Sequence, residues 1–136
     1  MILTFSKDRF VDDIKAGRKI HTIRTDAGNR WKPGMAIHFW RGNPRNVHAK
    51  EKPYCFREGE CTGVEKITIW RSGTLHGFRA RVWRGDVQVD LDDDKIEGLC
   101  QNDGLTAGQF RMWFVPPGTD SFTGRIIHWT DKRYAH

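Results

Sequence analysis

Apolar residues in this chain recur at two spacings, every three to four positions and every second position, and polar turns separate the runs. Residues 1–5 read as a strand that enters the core. Ser6 is placed to cap the helix that follows, with Asp8 in its first turn. Phe10, Val11 and Ile14 give that helix its apolar stripe, and Gly17 suits the left-handed position after its last turn. A short basic extended run begins straight after Gly17. In it Ile20, Thr22 and Arg24 share one face, while His21 and Ile23 share the other.

Residues 25–30 form a polar loop. Lys32-Pro33-Gly34 predicts a turn, since proline presets the first central position and glycine tolerates positive φ at the next. Residues 36–40 alternate, with Ile37 and Phe39 on one side and His38 and Trp40 on the other. Residues 42–53 have little to bury and carry His48, Lys50 and Lys52; they read as a connector or as a lid over a site. Two alternating strands follow at 63–71 and 77–83, and Arg84-Gly85-Asp86 turns the second into a strand at 87–91. That Arg-Gly-Asp triplet is turn chemistry rather than an adhesion signal.

Asp92, Asp93 and Asp94 supply a helix start, with Ile96, Leu99 and Cys100 at helical spacing and a stop near Gly104. Thr106 opens another helix, with Gln109 completing a capping box and Leu105 and Phe110 placed as a hydrophobic staple. Phe110, Trp113 and Phe114 are its expected buried stripe, and Pro116-Pro117-Gly118 ends it. A last strand is expected over 122–129, followed by a polar tail. The chain contains neither an internal repeat nor a linker, so residues 1–136 read as one domain. Strands dominate, which predicts an α+β fold in which a small β-barrel is plugged or flanked by α-helices.

Composition narrows the class. Hydrophobic residues at 38% and charged residues at 29% fit a soluble globular chain and exclude a disordered one. Six tryptophans and eight phenylalanines can fill a small core, and a surplus can line a pocket for a flat ligand. The formal charge is +6, and its distribution says more: residues 1–60 carry thirteen Lys and Arg against seven Asp and Glu, whereas residues 61–136 carry ten of each. The excess favours an anionic partner, nucleotide or polynucleotide. Cys55, Cys61 and Cys100 are odd in number and lack CxxC spacing, which argues against a disulfide framework and a zinc knuckle. No signal peptide or membrane span is read, and a monomeric, cytoplasmic protein with reduced thiols is expected.

The candidate chemistry lies where the first helix gives way to the basic strand. Arg18, Lys19 and Arg24 surround the Thr22 hydroxyl. A hydroxyl near a lysine suits an activated nucleophile, and cations around it suit an anionic or oxygen-rich ligand. Histidines 21, 38, 48, 76, 128 and 136 show no HxH or HExxH spacing, and neither a metal nor a cofactor is expected. His21 should face away from Thr22 along the strand.

The run Phe5…Phe10…Asp13-Ile14…Gly17-Arg18-Lys19…Thr22-Ile23-Arg24…Trp31-Lys32-Pro33-Gly34 resembles the ASCH domain, a relative of the PUA RNA-binding fold. Asn102-Asp103-Gly104-Leu105…Phe110…Trp113-Phe114 is similar to that family's second signature. The resemblance covers about a third of the chain and implies a PUA-like barrel with a cleft between barrel and helices. It also implies two functions. One is N4-acetylcytidine amidohydrolase activity, with Lys19 as the catalytic lysine, Thr22 as the nucleophile and Asp103, or its neighbour Asn102, where the family has a glutamate. The substrate would be a small nucleoside, held by Arg18, Arg24 and Asn102 and stacked on Trp31 or Trp40. The other is an RNA-binding module or ribonuclease using the same basic cleft.

Overall fold

Sequence alternation becomes two hydrogen-bonded sheets in the computed structural model, which describes residues 1–26 and 28–136. In chain order the first elements are β1 (Ile2–Phe5), α1 (Asp8–Lys15), β2 (His21–Arg24), β3 (Ala36–Arg41), β4 (Tyr54–Glu60) and β5 (Gly63–Arg71). They are followed by β6 (Phe78–Arg84), β7 (Val87–Asp90), α2 (Asp93–Asn102), α3 (Ala107–Phe114) and β8 (Ser121–His128). The fold is α+β. β1 pairs parallel with β3, which pairs antiparallel with β4. The larger sheet is antiparallel throughout, in the order β2-β8-β5-β6-β7. Among the described residues no ladder joins the two sheets, so the strands do not close into the hydrogen-bonded ring of the expected barrel.

A single core runs through both sheets. Phe5 stacks on Phe39 at 6.3 Å between ring centroids, and Trp129 meets Phe39 edge-on at 4.9 Å. At the other end Phe78 of β6 stacks on Phe110 of α3 at 5.3 Å. Both of these rings are fully buried, and removing each from water contributes about 1.5–3 kcal/mol.

Local signals set the helix ends. Gly17, at φ +78°, follows α1; Gly17 N–H donates to Ile14 O and Arg18 N–H to Asp13 O, the paired bonds of a Schellman closure. Asp92 caps α2 by accepting from Lys95 N–H at 2.9 Å. Thr106 and Gln109 form the reciprocal capping box of α3. Lys32-Pro33-Gly34 makes its turn, with Met35 N–H donating to Lys32 O and Gly34 at φ +92°.

Four expectations need correction. α1 begins at Asp8 after Lys7, without a side-chain cap, and Ser6 is not the capping residue. β4 is an additional strand; it pairs only with β3 and is exposed along almost its whole length, so it carries no hydrophobic alternation to read. Trp113 is 52% exposed rather than part of the buried stripe of α3. Around the helix axis it stands about 60° from Phe110 and about 100° from Phe114, on the side away from the row these two form. The tail also folds back, burying Tyr134 and Ala135 against the core.

Candidate active site

The closure of α1 sends residues 18–20 across the C-terminal end of α2. Ile20 N–H donates to Asn102 O at 2.9 Å, fixing the chain just before β2. One residue earlier, the Lys19 side chain turns inward. Its Nζ donates to the backbone oxygen of Asp103 at 2.7 Å and to Asp103 Oδ1 at 2.9 Å. The ammonium thereby meets the negative end of the α2 peptide dipoles as well as a carboxylate. Gly104, at φ +81°, lets the chain leave the helix directly after Asp103. Lys19 and Asp103 are each only 3% exposed.

This pair forms one wall of a cavity of about 290 Å³ between β1, α1, β2 and α3. Thr4, Ser6, Thr22 and Arg24 supply its other polar residues, while Phe5, Phe10, Leu105 and Trp113 supply apolar surface. Thr22 Oγ1 accepts from Arg24 Nε at 3.2 Å. Arg24 is anchored from its far side by donating through Nη2 to Thr4 O at 2.6 Å, and its guanidinium lies 5.1 Å from the Phe5 ring centroid. Trp113 packs edge-on against Phe10 at 5.8 Å and leaves much of its surface open to solvent beside the cavity.

Burial governs the electrostatics. It lowers the Lys19 pKa below the usual lysine value; Asp103 opposes this, and Arg24 reinforces it. Burial alone would raise the Asp103 carboxyl, but Lys19 and His21 outweigh it and hold the group below the ordinary aspartate value. An ammonium has three donors, and Asp103 takes two of those on Lys19. The third donor has no acceptor among the described residues, and Nζ lies 5.1 Å from the Phe10 ring centroid.

A second polar layer supports the pair. His21 is fully buried, with Nε2 2.6 Å from the Tyr134 hydroxyl and Nδ1 3.3 Å from Asp103 Oδ1, the latter off the hydrogen-bond direction. Burial pushes the Tyr134 phenol up, so the hydroxyl keeps its proton in its hydrogen bond with His21 Nε2. Asn102 Nδ2 donates to the same oxygen at 3.0 Å. Farther in, His128 Nε2 lies 2.7 Å from Glu65 Oε1, and Glu65 accepts the backbone N–H groups of Tyr134 and Ala135.

Of the residues singled out from the sequence, Lys19, Thr22, Arg24 and Asp103 share the cavity. Arg18 does not; it lies outside on the surface, paired with Asp13 at 2.8 Å. Asn102 points to Tyr134, on the other side of the α2 end. Trp31 is buried in a separate region, on a loop held by Asp26, which accepts from Arg30 N–H and Trp31 N–H. Trp40 follows an irregularity in the β3–β4 register and does not line the cavity. The aromatic beside the cavity is Trp113. No residue from 42–53 lines the cavity.

His21 points away from Thr22, yet it contacts Asp103. Glu65 and Tyr134 went unread. Glu65 did have a signal, because it stands in register with Ile67 and Ile69 on the inward face of an alternating strand. All three cysteines are free. Among the described residues no helix is long and apolar enough to cross a membrane, and no cluster of His, Cys, Asp or Glu is arranged to hold a metal. No protein-family model, no curated protein and no solved structure matches this chain.

Proposed function

We propose that this chain is an amidohydrolase of the ASCH type, related to PUA-like domains, which removes the acyl group from N4-acylated cytidine or a related nucleoside. The observation that carries the reading is the meeting of a buried lysine, its carboxylate partner and a threonine hydroxyl around one small cavity with an arginine at hand. Amide hydrolysis needs a nucleophile, a base for it and a donor for the oxyanion. Thr22 Oγ1 attacks the acyl carbonyl carbon and its proton passes to neutral Lys19. Arg24 holds the oxyanion of the tetrahedral intermediate. That intermediate collapses with cleavage of the carbon–nitrogen bond, and Lys19 returns the proton to the departing exocyclic amine. Water then hydrolyses the acyl-threonine ester. Asp103 orients Lys19 through two contacts, a task for which the aspartate's shorter reach suffices because its backbone oxygen also takes part.

Incubating the protein with N4-acetylcytidine and following the absorbance change to cytidine tests the proposal. Absence of release over a series of acyl groups would discard it.

The pH profile carries a signed prediction. Activity requires neutral Lys19, so kcat/KM should rise with pH on a limb whose midpoint lies below 10.5, the ordinary lysine value. In Asp103→Asn the carboxylate that favours the ammonium is gone, while burial and Arg24 remain. The midpoint should therefore move to lower pH even as the maximal rate falls. A shift to higher pH would remove Lys19 from the role of base.

Trp113 beside Phe10 is the stacking surface for the pyrimidine. Base–aromatic stacking is worth about 1–3 kcal/mol, so Trp113→Ala should raise KM by about tenfold and leave kcat close to wild type. Steady-state kinetics separates the two constants, and a loss confined to kcat would contradict the assignment.

A further inference from the structure

The charges around the cavity do not balance. Lys19 and Arg24 bring two cations to its wall, and Asp103 is the one carboxylate among the described residues of the lining. Asp103 is committed to Lys19 through Oδ1 at 2.9 Å. Arg24 is left with neutral acceptors, Thr22 Oγ1 for Nε and Thr4 O for Nη2, and its Nη1 has no acceptor among the described residues. It makes no salt bridge among them either, and burial draws its pKa below the ordinary arginine value with only the charge of Asp103 opposing. A part-buried guanidinium without a counter-ion is unfavourable unless a ligand supplies one, and its planar fork matches a carboxylate.

Lys19 has chemistry to match. Burial and the neighbouring Arg24 both favour its neutral amine, the form in which a desolvated lysine adds to a carbonyl carbon. Its Nζ stands 5.9 Å from the Phe5 ring centroid and 5.1 Å from that of Phe10. The other eight lysines of the chain are exposed.

We propose that this cavity binds a small 2-oxo acid with an apolar side chain, and that Lys19 Nζ joins its 2-oxo carbon as an iminium. Arg24 holds the carboxylate, and Phe10, Leu105 and Trp113 face the side chain. A volume of about 290 Å³ limits the ligand to a small one. Lys19 leaves one proton with Asp103 and forms the nitrogen–carbon bond with its lone pair. The former carbonyl oxygen takes a second proton from that nitrogen, then the one held by Asp103, and departs as water. An ammonium and a ketone have become an iminium and water, so the positive charge facing Asp103 is unchanged. Thr22 transfers nothing in this sequence, which sets the activity apart from the amide hydrolysis proposed for the same cavity.

Sodium cyanoborohydride reduces an iminium to a stable secondary amine. Incubating the intact protein with phenylpyruvate and this reductant, followed by peptide mapping in a mass spectrometer, tests the proposal. The adduct should form on Lys19 at least about tenfold more than on any exposed lysine at neutral pH, since each unit of pKa lowering raises the neutral fraction tenfold. 3-Phenylpropionate, which has the ring and the carboxylate but no carbonyl, should protect Lys19 by competition. In Arg24→Gln the ratio of phenylpyruvate to phenylacetaldehyde trapping at Lys19 should fall by about tenfold or more, because only the first carries a carboxylate. The phenylacetaldehyde adduct in that variant also reports that the cavity still forms. Adducts spread evenly over the exposed lysines, no protection by 3-phenylpropionate, or an unchanged ratio in Arg24→Gln would each overturn the proposal. Trapping without hydrolysis of N4-acetylcytidine would remove the hydrolase reading alone, and hydrolysis without trapping would remove this one alone.

Discussion

Thr22→Ala is expected to lower kcat/KM for N4-acetylcytidine by about 10³-fold or more while leaving the fold intact. The hydroxyl is the one nucleophile among the polar groups on the cavity wall that also touches the proposed oxyanion donor, through the 3.2 Å bond from Arg24 Nε. Its removal leaves Arg24 still anchored on Thr4 O and leaves the Lys19–Asp103 pair whole. The stability cost should accordingly stay within about 1 kcal/mol, the scale of a β-branched residue exchanged in a strand. Thr22→Ser, which restores an alcohol, should recover part of the rate. Lys19→Met is a poorer diagnostic because it strands the buried Asp103 carboxylate and destabilises the protein at the same time. Steady-state kinetics together with urea unfolding of Thr22→Ala decides the matter. If that variant keeps more than about a tenth of wild-type activity, attack must come from elsewhere, such as the Ser6 hydroxyl that also lines the cavity.

Much of this site was legible because the devices that build it are local. A glycine after an apolar stripe ends α1, a Ser/Thr-x-x-Gln box starts α3, and a glycine follows Asp103 at the end of α2. Each is encoded within a few residues, and together they fix where Lys19, Thr22 and Asp103 must stand. What escaped reading depends on contacts remote in sequence. Trp31 and Trp40 qualify as stacking residues by type, but a loop pinned by Asp26 buries one and a register irregularity displaces the other. Trp113 takes the place beside Phe10 because α1 and α3 both border the cavity, and no periodicity shows that. β4 was invisible for a different reason. An edge strand with both faces largely exposed has nothing apolar to repeat every second residue.

The tail is the clearest case of the same limit, and it leads to the largest stability effect. Tyr134 and Ala135 are two residues among polar neighbours, and only the buried carboxylate of Glu65 makes sense of them. Glu65→Ala is expected to cost about 3–5 kcal/mol, a large share of the total for a domain of this size. Glu65 Oε1 meets His128 Nε2 at 2.7 Å and Tyr134 N at 3.0 Å, and Oε2 meets Ala135 N at 2.8 Å. Deleting the carboxylate leaves these donors buried without an acceptor, which costs more than the bonds contributed.

Glu65 also has a signed pH signature. Burial alone would raise its pKa, yet the His128 contact and the two amides hold it below the ordinary glutamate value of 4.5. Its contribution is therefore fully present above pH 4.5 and is lost as pH falls through the lower folded-state value. Urea unfolding at neutral pH should show the full deficit in Glu65→Ala, and the gap from wild type should narrow in acid. A variant that unfolds within about 0.5 kcal/mol of wild type at neutral pH would mean that the tail is held by packing alone. Because Tyr134 also hydrogen-bonds His21 behind Asp103, loosening the tail should lower the proposed hydrolase activity as well, through a residue that never meets the substrate.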